Sequence, residues 1–371
     1  MLLTRRLAAA ACVLTAVLAM PVDAAAQATP GTHPVRAEAR AFALSTPIAT
    51  PEGVDVLEQV AIGGIPQWIS IRGRDQANPV LLYLHGGPGF PTMPVSHLWQ
   101  GPWEEYFTVV QWDQRGSGKS YRASDTASVR PTLTVPRMIA DAEEVVRHLR
   151  ERFGPRPIVL MGHSWGTILG VELARRHPEW FSVYVGIGQA VDVAESERLG
   201  YEVLVDTAGR AGDTVALAEL RALAPYPELD GAIPPAKLYT ERKWMRAYGG
   251  YNHAKPDDHY GTLMATSPLY TDEELSQFGP AIQFVFETLW PQLQDFAIWD
   301  VDELNVPVVL FHGVHDLTTP LSLAERWHSA LRAPSKTLVR FEHSSHMVMM
   351  EEPGKLFLHL IQDVHPLAAD R

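Results

Sequence analysis

Short runs of hydrophobic residues, uninterrupted by polar positions, recur along the chain from residue 80 onward. Continuous apolar runs of this length predict strands covered on both faces, whereas half-exposed strands alternate polar and apolar positions. Before these runs, residues 54–62 and 65–72 flank Gly63-Gly64 and predict a β-hairpin. The further predicted strands are 80–84, 107–110, 158–161, 183–187, 306–311 and 337–341.

Helical periodicity appears between the predicted strands. In residues 135–153, Ile139, Val146 and Leu149 share one stripe. Gly154-Pro155 then ends the helix. Strand and helix in alternation predict an α/β fold with a mostly parallel sheet and helices on both faces.

The alternation fails between residues 193 and 300, where the sequence is helical, turn-rich and aromatic. Strands are predicted on both sides of this segment, which favours an inserted helical cap over a second independent domain. Trp244 and Tyr248 of the cap are candidates for an apolar substrate pocket. The predicted organisation is a signal peptide (1–28), a lead-in (29–53), the first part of the core (54–192), the cap (193–300) and the second part of the core (301–371).

The N-terminus has the order of a secretory signal. Arg5 and Arg6 precede an apolar run over residues 7–20, and Ala26-Gln27-Ala28 follows. As a helix the run would rise about 21 Å, short of the ~30 Å hydrocarbon core, which disfavours a retained anchor. Cys12 lies inside the run, which disfavours lipidation. We predict cleavage after Ala28 and export, to the periplasm or the medium; the export route stays open.

Charge and composition narrow the possible partners. The 371 residues carry a formal net charge of −12 and no cluster of lysine and arginine, which disfavours nucleic acid as a partner. After residue 28 no apolar stretch is long enough for a spanning helix, so no membrane span is expected. Signal removal would also take away Cys12, the single cysteine, so stability must come from a core. The sequence leaves the oligomeric state open.

A candidate nucleophile lies in Gly162-His163-Ser164-Trp165-Gly166, directly after a predicted strand and before a helical pattern at 167–176. In that context G-x-S-x-G holds the serine exposed on a strained turn, while the helix N-terminus favours developing negative charge. The same pattern also occurs as an ordinary turn. The flanking strand and helix favour Ser164 as a nucleophile.

A serine nucleophile needs a base and a group that orients the base. Asp316 and His346 each follow a predicted strand, and the chain order Ser, Asp, His is that of the nucleophile-elbow hydrolases. The alternatives are a helix-capping role for Asp316 and His343 as the base. His346 is preferred because the apolar residues 347–350 would seat its loop.

Backbone N–H groups usually stabilise the oxyanion of acyl transfer. The N–H of Trp165 is one candidate donor. The other is that of Gly87, in His85-Gly86-Gly87-Pro88-Gly89, where glycines let the backbone turn toward the site. A simple glycine-proline loop is the alternative.

The three motifs together resemble one known family. His85-Gly86-Gly87-Pro88-Gly89, the stretch from Trp112 to Ser120 and Ser164-Trp165-Gly166, followed by Asp316 and His346, are similar to the prolyl iminopeptidase branch of the α/β-hydrolase superfamily over residues 54–362. The resemblance implies an eight-stranded sheet, a cap after the sixth strand, no cofactor, and release of an N-terminal residue, often proline, from short peptides.

Two features bear on the substrate. His163 stands where the family commonly has glycine. The family's cap carboxylates hold the substrate's amino group, and the candidates here are Glu195, Glu197, Glu219 and Glu241. A carboxylesterase or amidase acting on small apolar acyl substrates would need no such carboxylate, and stays the alternative function.

Other chemistries fit the sequence less well. Gly118-Lys119-Ser120 is not a phosphate loop, because Asp113 stands where its first glycine belongs. Epoxide or haloalkane chemistry would need a carboxylate in place of Ser164. His253, Asp257, Asp258 and His259 are typical of a polar cap loop more than of a metal site, and no metal is expected.

Overall fold

The computed structural model describes residues 47–253 and 260–369. The strands are β1 (Val54–Ile62), β2 (Ile65–Gly73), β3 (Val80–Leu84), β4 (Thr108–Asp113), β5 (Ile158–His163), β6 (Phe181–Ile187), β7 (Val308–Gly313) and β8 (Lys336–Phe341). The α-helices are α1 (Gly118–Arg122), α2 (Thr126–Val129), α3 (Val135–Phe153), α4 (Trp165–Arg176), α5 (Val193–Ala211), α6 (Thr214–Arg221), α7 (Pro235–Ala247), α8 (Tyr260–Met264), α9 (Asp272–Ser276), α10 (Phe278–Leu293), α11 (Leu321–Ala330), α12 (Val348–Glu351), α13 (Pro353–His359) and α14 (His365–Ala369). Short 3-10 helices cover Met93–Leu98, Gly101–Glu105, Arg130–Thr132 and Pro178–Trp180, and a π-helical turn covers Leu360–Val364.

The strands form one eight-stranded sheet in the order β1-β2-β4-β3-β5-β6-β7-β8. The β1–β2 and β2–β4 pairs are antiparallel, and the pairs from β4 to β8 are parallel. The predicted hairpin forms, with Ile62 opposite Ile65 and positive φ at Gly63 and Gly64. The expected α/β fold with a mostly parallel sheet is confirmed.

Both faces of the sheet are covered, as the uninterrupted apolar runs predict. All five residues of β3 are buried, and so are all seven of β6. On one face the strands pack with α3 and α4 through residues such as Val146 and Leu169. On the other face they pack with the C-terminal helices through residues such as Met349 and Leu356. Helix α3 begins with Thr134 as N-cap and ends at Gly154, the glycine expected to stop it.

A helical cap, α5 to α10, is inserted between β6 and β7. It has its own apolar cluster, with Leu204, Leu220 and Met245 fully or almost fully buried. The expected cap after the sixth strand is therefore present.

Polar contacts tie the cap to the core. The hydroxyl of Tyr270, in the cap, donates to the buried carboxylate of Asp113 at the end of β4. Lys119 Nζ donates to Glu274 Oε1 at 2.7 Å and to the Leu269 carbonyl at 3.0 Å. These contacts fix the cap over the carboxyl edge of the sheet, where the site lies.

The predicted signal peptide and most of the lead-in lie outside the described residues. Within residues 47–253 and 260–369, no helix combines the length and hydrophobicity required to cross a bilayer.

Candidate active site

Ser164 lies on a sharp turn between β5 and α4. It has φ 53° and ψ −120°, and is the one non-glycine residue with positive φ among those described. The turn needs glycine on both sides: a Cβ on Gly166 would lie 2.0 Å from the Leu84 carbonyl oxygen, and one on Gly162 would lie 2.5 Å from the Gly166 oxygen. This strained conformation is held by the strand and helix on either side, which is the geometry of a nucleophile elbow.

Asp316 and His346 meet at the same edge of the sheet, because β7 and β8 are parallel neighbours and each residue follows one of them. His346 Nδ1 lies 2.8 Å from Asp316 Oδ2, to which the Thr319 hydroxyl also donates at 2.7 Å. The N–H groups of Thr318 and Thr319 donate to the other oxygen at 2.8 and 2.9 Å. The carboxylate is thus fixed, and with Nδ1 donating to it, Nε2 of His346 is the nitrogen left to accept a proton.

The surroundings keep Asp316 charged and its histidine neighbours neutral. Burial alone would raise the pKa of Asp316, but the charge and hydrogen bond of His346 outweigh it and lower that pKa to about 2. Burial, reinforced by repulsion from His346, lowers the pKa of His163 to about 3. Burial also lowers the pKa of His85 to about 4. Uncharged His163 adds no positive charge that would compete with His346 for Asp316, and uncharged His85 adds none beside His163.

The structure tests two alternatives, a helix-capping role for Asp316 and His343 as the base. The N-cap of α11 is Pro320, without any side-chain cap, so Asp316 does not cap that helix. His343 is exposed, and its backbone N–H donates to Glu352. His346 is the histidine bonded to Asp316.

Ser164 and His346 line one cavity of about 750 Å³ between the sheet edge and the cap, together with Gly87 and Trp165. The rest of the lining is mainly apolar, which is typical of a small-molecule site. Its apolar and aromatic members include Phe90, Ile168, Val193, Leu238, Tyr239, Tyr251, Ile282, Phe286, Trp290 and Met347.

The two candidate oxyanion donors lie beside Ser164. Trp165 is the first residue of α4, where backbone N–H groups have no acceptor within the helix. The loop with Gly87 comes very close to the elbow, since a Cβ on Gly86 would lie 3.1 Å from Ser164 Cβ. Gly87 has φ 115°, a conformation that favours glycine. The loop and the helix N-terminus can therefore present N–H groups to one oxygen.

Gln114 connects these parts, a role that the sequence did not reveal. Its Oε1 accepts from the Trp165 indole at 3.0 Å, and its Nε2 donates to the His85 carbonyl at 3.1 Å. Its backbone N–H donates to His85 Nε2 at 3.3 Å. The only signal was its place in the motif from Trp112 to Ser120, to which the sequence assigned no task.

Gly188, just after β6, was also missed. It has φ 54°, and a Cβ there would lie 3.2 Å from two atoms of the His346 imidazole. This glycine leaves the room in which His346 sits. A single glycine after a strand gives no such signal in the sequence.

The expectation that Trp244 and Tyr248 line the substrate pocket is not supported, because both lie outside the cavity lining. The Trp244 indole donates to Glu219, and the Tyr248 hydroxyl donates to Asp213. Arg242 and Arg246 of α7 face the cavity instead. Other cap aromatics, Phe286 and Trp290 among them, line it instead.

Of the four candidate cap carboxylates, Glu197 alone lines the cavity. Glu195 pairs with Arg198, and Glu219, which lies outside the lining, pairs with Lys243. Glu241 is fully buried behind the wall. An amino group entering the cavity would therefore meet Glu197.

Among the described residues, no group of three or more His, Cys, Asp or Glu side chains could hold a metal ion. Asp257, Asp258 and His259 of the candidate polar loop lie outside the described residues.

The fold, the elbow and the cap define a class of protein. Residues 79–353 match the model of the alpha/beta hydrolase fold family, and the chain belongs to that family. The probable aminopeptidase YbaC of Bacillus subtilis is 31% identical over 318 residues, 83% of this chain and 95% of that protein. A proline iminopeptidase of Saccharolobus solfataricus is 25% identical over 305 residues, 77% of this chain and 84% of that protein.

Solved structures agree on the fold. The proline iminopeptidase of Mycobacterium smegmatis has a TM-score of 0.60 at 19% identity, covering 85% of this chain and 99% of that one. The resemblance to the prolyl iminopeptidase branch, first indicated by the motifs, is confirmed by these relatives.

Proposed function

We propose that the protein is a serine hydrolase with Ser164, His346 and Asp316 as its triad. The observation that carries the proposal is the 2.8 Å contact of His346 Nδ1 with Asp316, made by a histidine that shares a cavity with the strained Ser164. Each of the three follows a different strand of the sheet. Ser164 and His346 line the cavity, and Asp316 is hydrogen-bonded to His346 from outside that lining.

In the proposed mechanism, Ser164 Oγ attacks the substrate carbonyl carbon while its proton passes to His346 Nε2. The carbonyl oxygen becomes an oxyanion that accepts from the N–H groups of Gly87 and Trp165. Protonated His346 then gives its proton to the leaving amine as the C–N bond breaks, which leaves an acyl ester on Ser164. Water, deprotonated by His346, hydrolyses that ester and restores the serine.

The proposed reaction is that of an aminopeptidase releasing N-terminal proline or another apolar residue from short peptides. The names of the relatives support it. The apolar wall suits an apolar residue, and Glu197 faces the cavity where an amino group could bind.

One observation favours a second candidate, a carboxylesterase or amidase on small apolar acyl substrates. Both oxygens of Glu197 are already engaged, by Arg242 and by the Tyr226 hydroxyl at 2.6 Å. An amine would have to share or displace these partners, whereas an ester would not.

One experiment tests the reaction and separates the two functions. Purified protein is assayed on a prolyl arylamide, on its N-acetylated form and on a short-chain acyl ester. Cleavage of the free-amine arylamide but not of the blocked one supports the aminopeptidase, and cleavage of the ester alone supports the second candidate. Ser164→Ala should lose at least about 10³-fold in kcat on every substrate; wild-type turnover in that variant would refute the triad.

We also propose that the protein is exported, because the first 28 residues have the order of a cleavable signal. When the full chain is expressed in an exporting bacterial host, the mature N-terminus should be Thr29 and the protein should leave the cytoplasm. A cytoplasmic protein with an intact Met1 would contradict this.

A further inference from the structure

Arg246 presents a guanidinium to the cavity without an anionic partner. It lies in the last turn of α7, lines the cavity, and is half-buried. Its Nε is buried with no hydrogen-bond acceptor, and within residues 47–253 and 260–369 it forms no ion pair. Its guanidinium carbon lies 5.5 Å from the centre of the Tyr251 ring. A buried cationic donor left unsatisfied is costly unless a ligand completes it.

The other charged carboxyl, guanidinium and ammonium groups of the cavity are already engaged within the described chain. Asp192 caps α5, and Glu197 is paired with Arg242. Lys243, which is largely exposed, pairs with a cap glutamate at 2.6 Å. In this part of the molecule, Arg246 is the cavity cation that a substrate anion can neutralise.

Arg246 lies on the histidine side of the site. The Tyr251 ring centre is 5.4 Å from that of His346, and the His346 N–H donates to the Tyr251 carbonyl at 3.1 Å. The two ring distances place the Arg246 guanidinium within about 11 Å of the imidazole. The departing amine takes its proton from His346, so the part of the substrate on this side is the leaving group.

We propose that Arg246 binds the C-terminal carboxylate of the leaving portion, so that the preferred substrates are dipeptides and tripeptides with a free carboxylate; this rests on the proposed aminopeptidase function. A peptide advances at most about 3.6 Å per residue, so a carboxylate one or two residues beyond the scissile nitrogen is within reach. Arg242 and Arg246 are neighbours on one helix face. Arg242 is neutralised by Glu197, which leaves Arg246 to offer its charge to the carboxylate end of a short peptide.

The test compares three substrates: prolyl-alanine, prolyl-alanine amide and a prolyl arylamide. For the wild type, kcat/KM should be about 10- to 100-fold higher on the free acid than on the amide, the range expected for a charged hydrogen bond. Arg246→Gln should remove that preference by raising KM for the free acid, with the amide and arylamide unchanged. Arg246→Lys should recover part of it, since an ammonium keeps the charge but not the planar pair of donors.

The matched control is Lys243→Gln, which removes one positive charge from an exposed position of the cavity wall. This variant should keep the preference for the free acid over the amide. The assignment is overturned if the wild type treats acid and amide alike, if Arg246→Gln lowers all three activities equally, or if Lys243→Gln erases the preference as well. In each of these cases, cleavage of the arylamide by the wild type would still support the proposed aminopeptidase function. A wild type that cleaves no peptide and no arylamide overturns both.

Discussion

Replacing Asp316 with Asn tests how the triad works without changing its shape. Asn can keep an oxygen toward the N–H groups of Thr318 and Thr319, which now donate to Asp316 Oδ1 at 2.8 and 2.9 Å. Its NH2 group would then occupy the place of Oδ2 and face His346 Nδ1. Two donors cannot pair, so the imidazole would have to carry its proton on Nε2 and could no longer accept the proton of Ser164.

The expected loss in kcat is about 10³- to 10⁴-fold, equal to about 4 to 5.5 kcal/mol of transition-state stabilisation. The loss in stability is smaller. Lowering the Asp316 pKa from 3.8 to about 2 is worth about 2 kcal/mol. Because the folded pKa is the depressed one, this stabilisation is present above pH 3.8 and disappears as the pH falls through about 2.

The assay is kcat and KM on whichever substrate the wild type hydrolyses, with urea unfolding at neutral pH as a check on folding. Thr319→Val is the matched control: it removes the hydroxyl that donates to Asp316 Oδ2 at 2.7 Å but leaves the carboxylate charged. It should lose no more than about tenfold in kcat, the scale of one hydrogen bond. A folded Asp316→Asn variant with kcat within tenfold of the wild type would refute the orienting role of Asp316.

Two further predictions concern stability. Gly166→Ala should destabilise the fold by more than about 3 kcal/mol or prevent folding, because its Cβ would lie 2.0 Å from the Leu84 carbonyl oxygen. Gly209 lies in a helix, and a Cβ added there would meet no atom within 4 Å. Gly209→Ala should therefore be neutral or stabilising by up to about 1 kcal/mol in urea unfolding. Equal effects of the two substitutions would contradict the close approach of Gly166 to the Leu84 carbonyl. Burial raises the pKa of Asp113 from 3.8 to about 7. The folded protein therefore holds the proton on the Asp113 carboxyl more tightly than the unfolded chain does. As the pH rises from 4 to 7, the free energy of unfolding of the wild type should fall by as much as about 4 kcal/mol. The Asp113→Asn variant should lack this part of the decline. If its unfolding free energy changes with pH in parallel with that of the wild type, Asp113 is not the source of the decline.

Much of the fold is readable from the chain because it depends on local pattern. The apolar run at Val80–Leu84 and the double glycine at Gly63-Gly64 predict elements that the structure contains within a residue or two. Ser164 is recognisable for the same reason, since its elbow needs a strand, close-packed glycines and a helix in immediate succession. Residues that are neighbours in sequence carry this information directly.

The sequence by itself determined the alternation of strand and helix, the insertion of the cap and the order of Ser164, Asp316 and His346. Only the tertiary structure decided which cap side chains face the cavity, turning Trp244 and Tyr248 away while exposing Arg246 to it. The physical reason is that a strand or an elbow is set by residues next to one another in the chain. Which side of a helix meets a distant sheet edge depends instead on how the whole cap packs, and no short stretch of sequence encodes that.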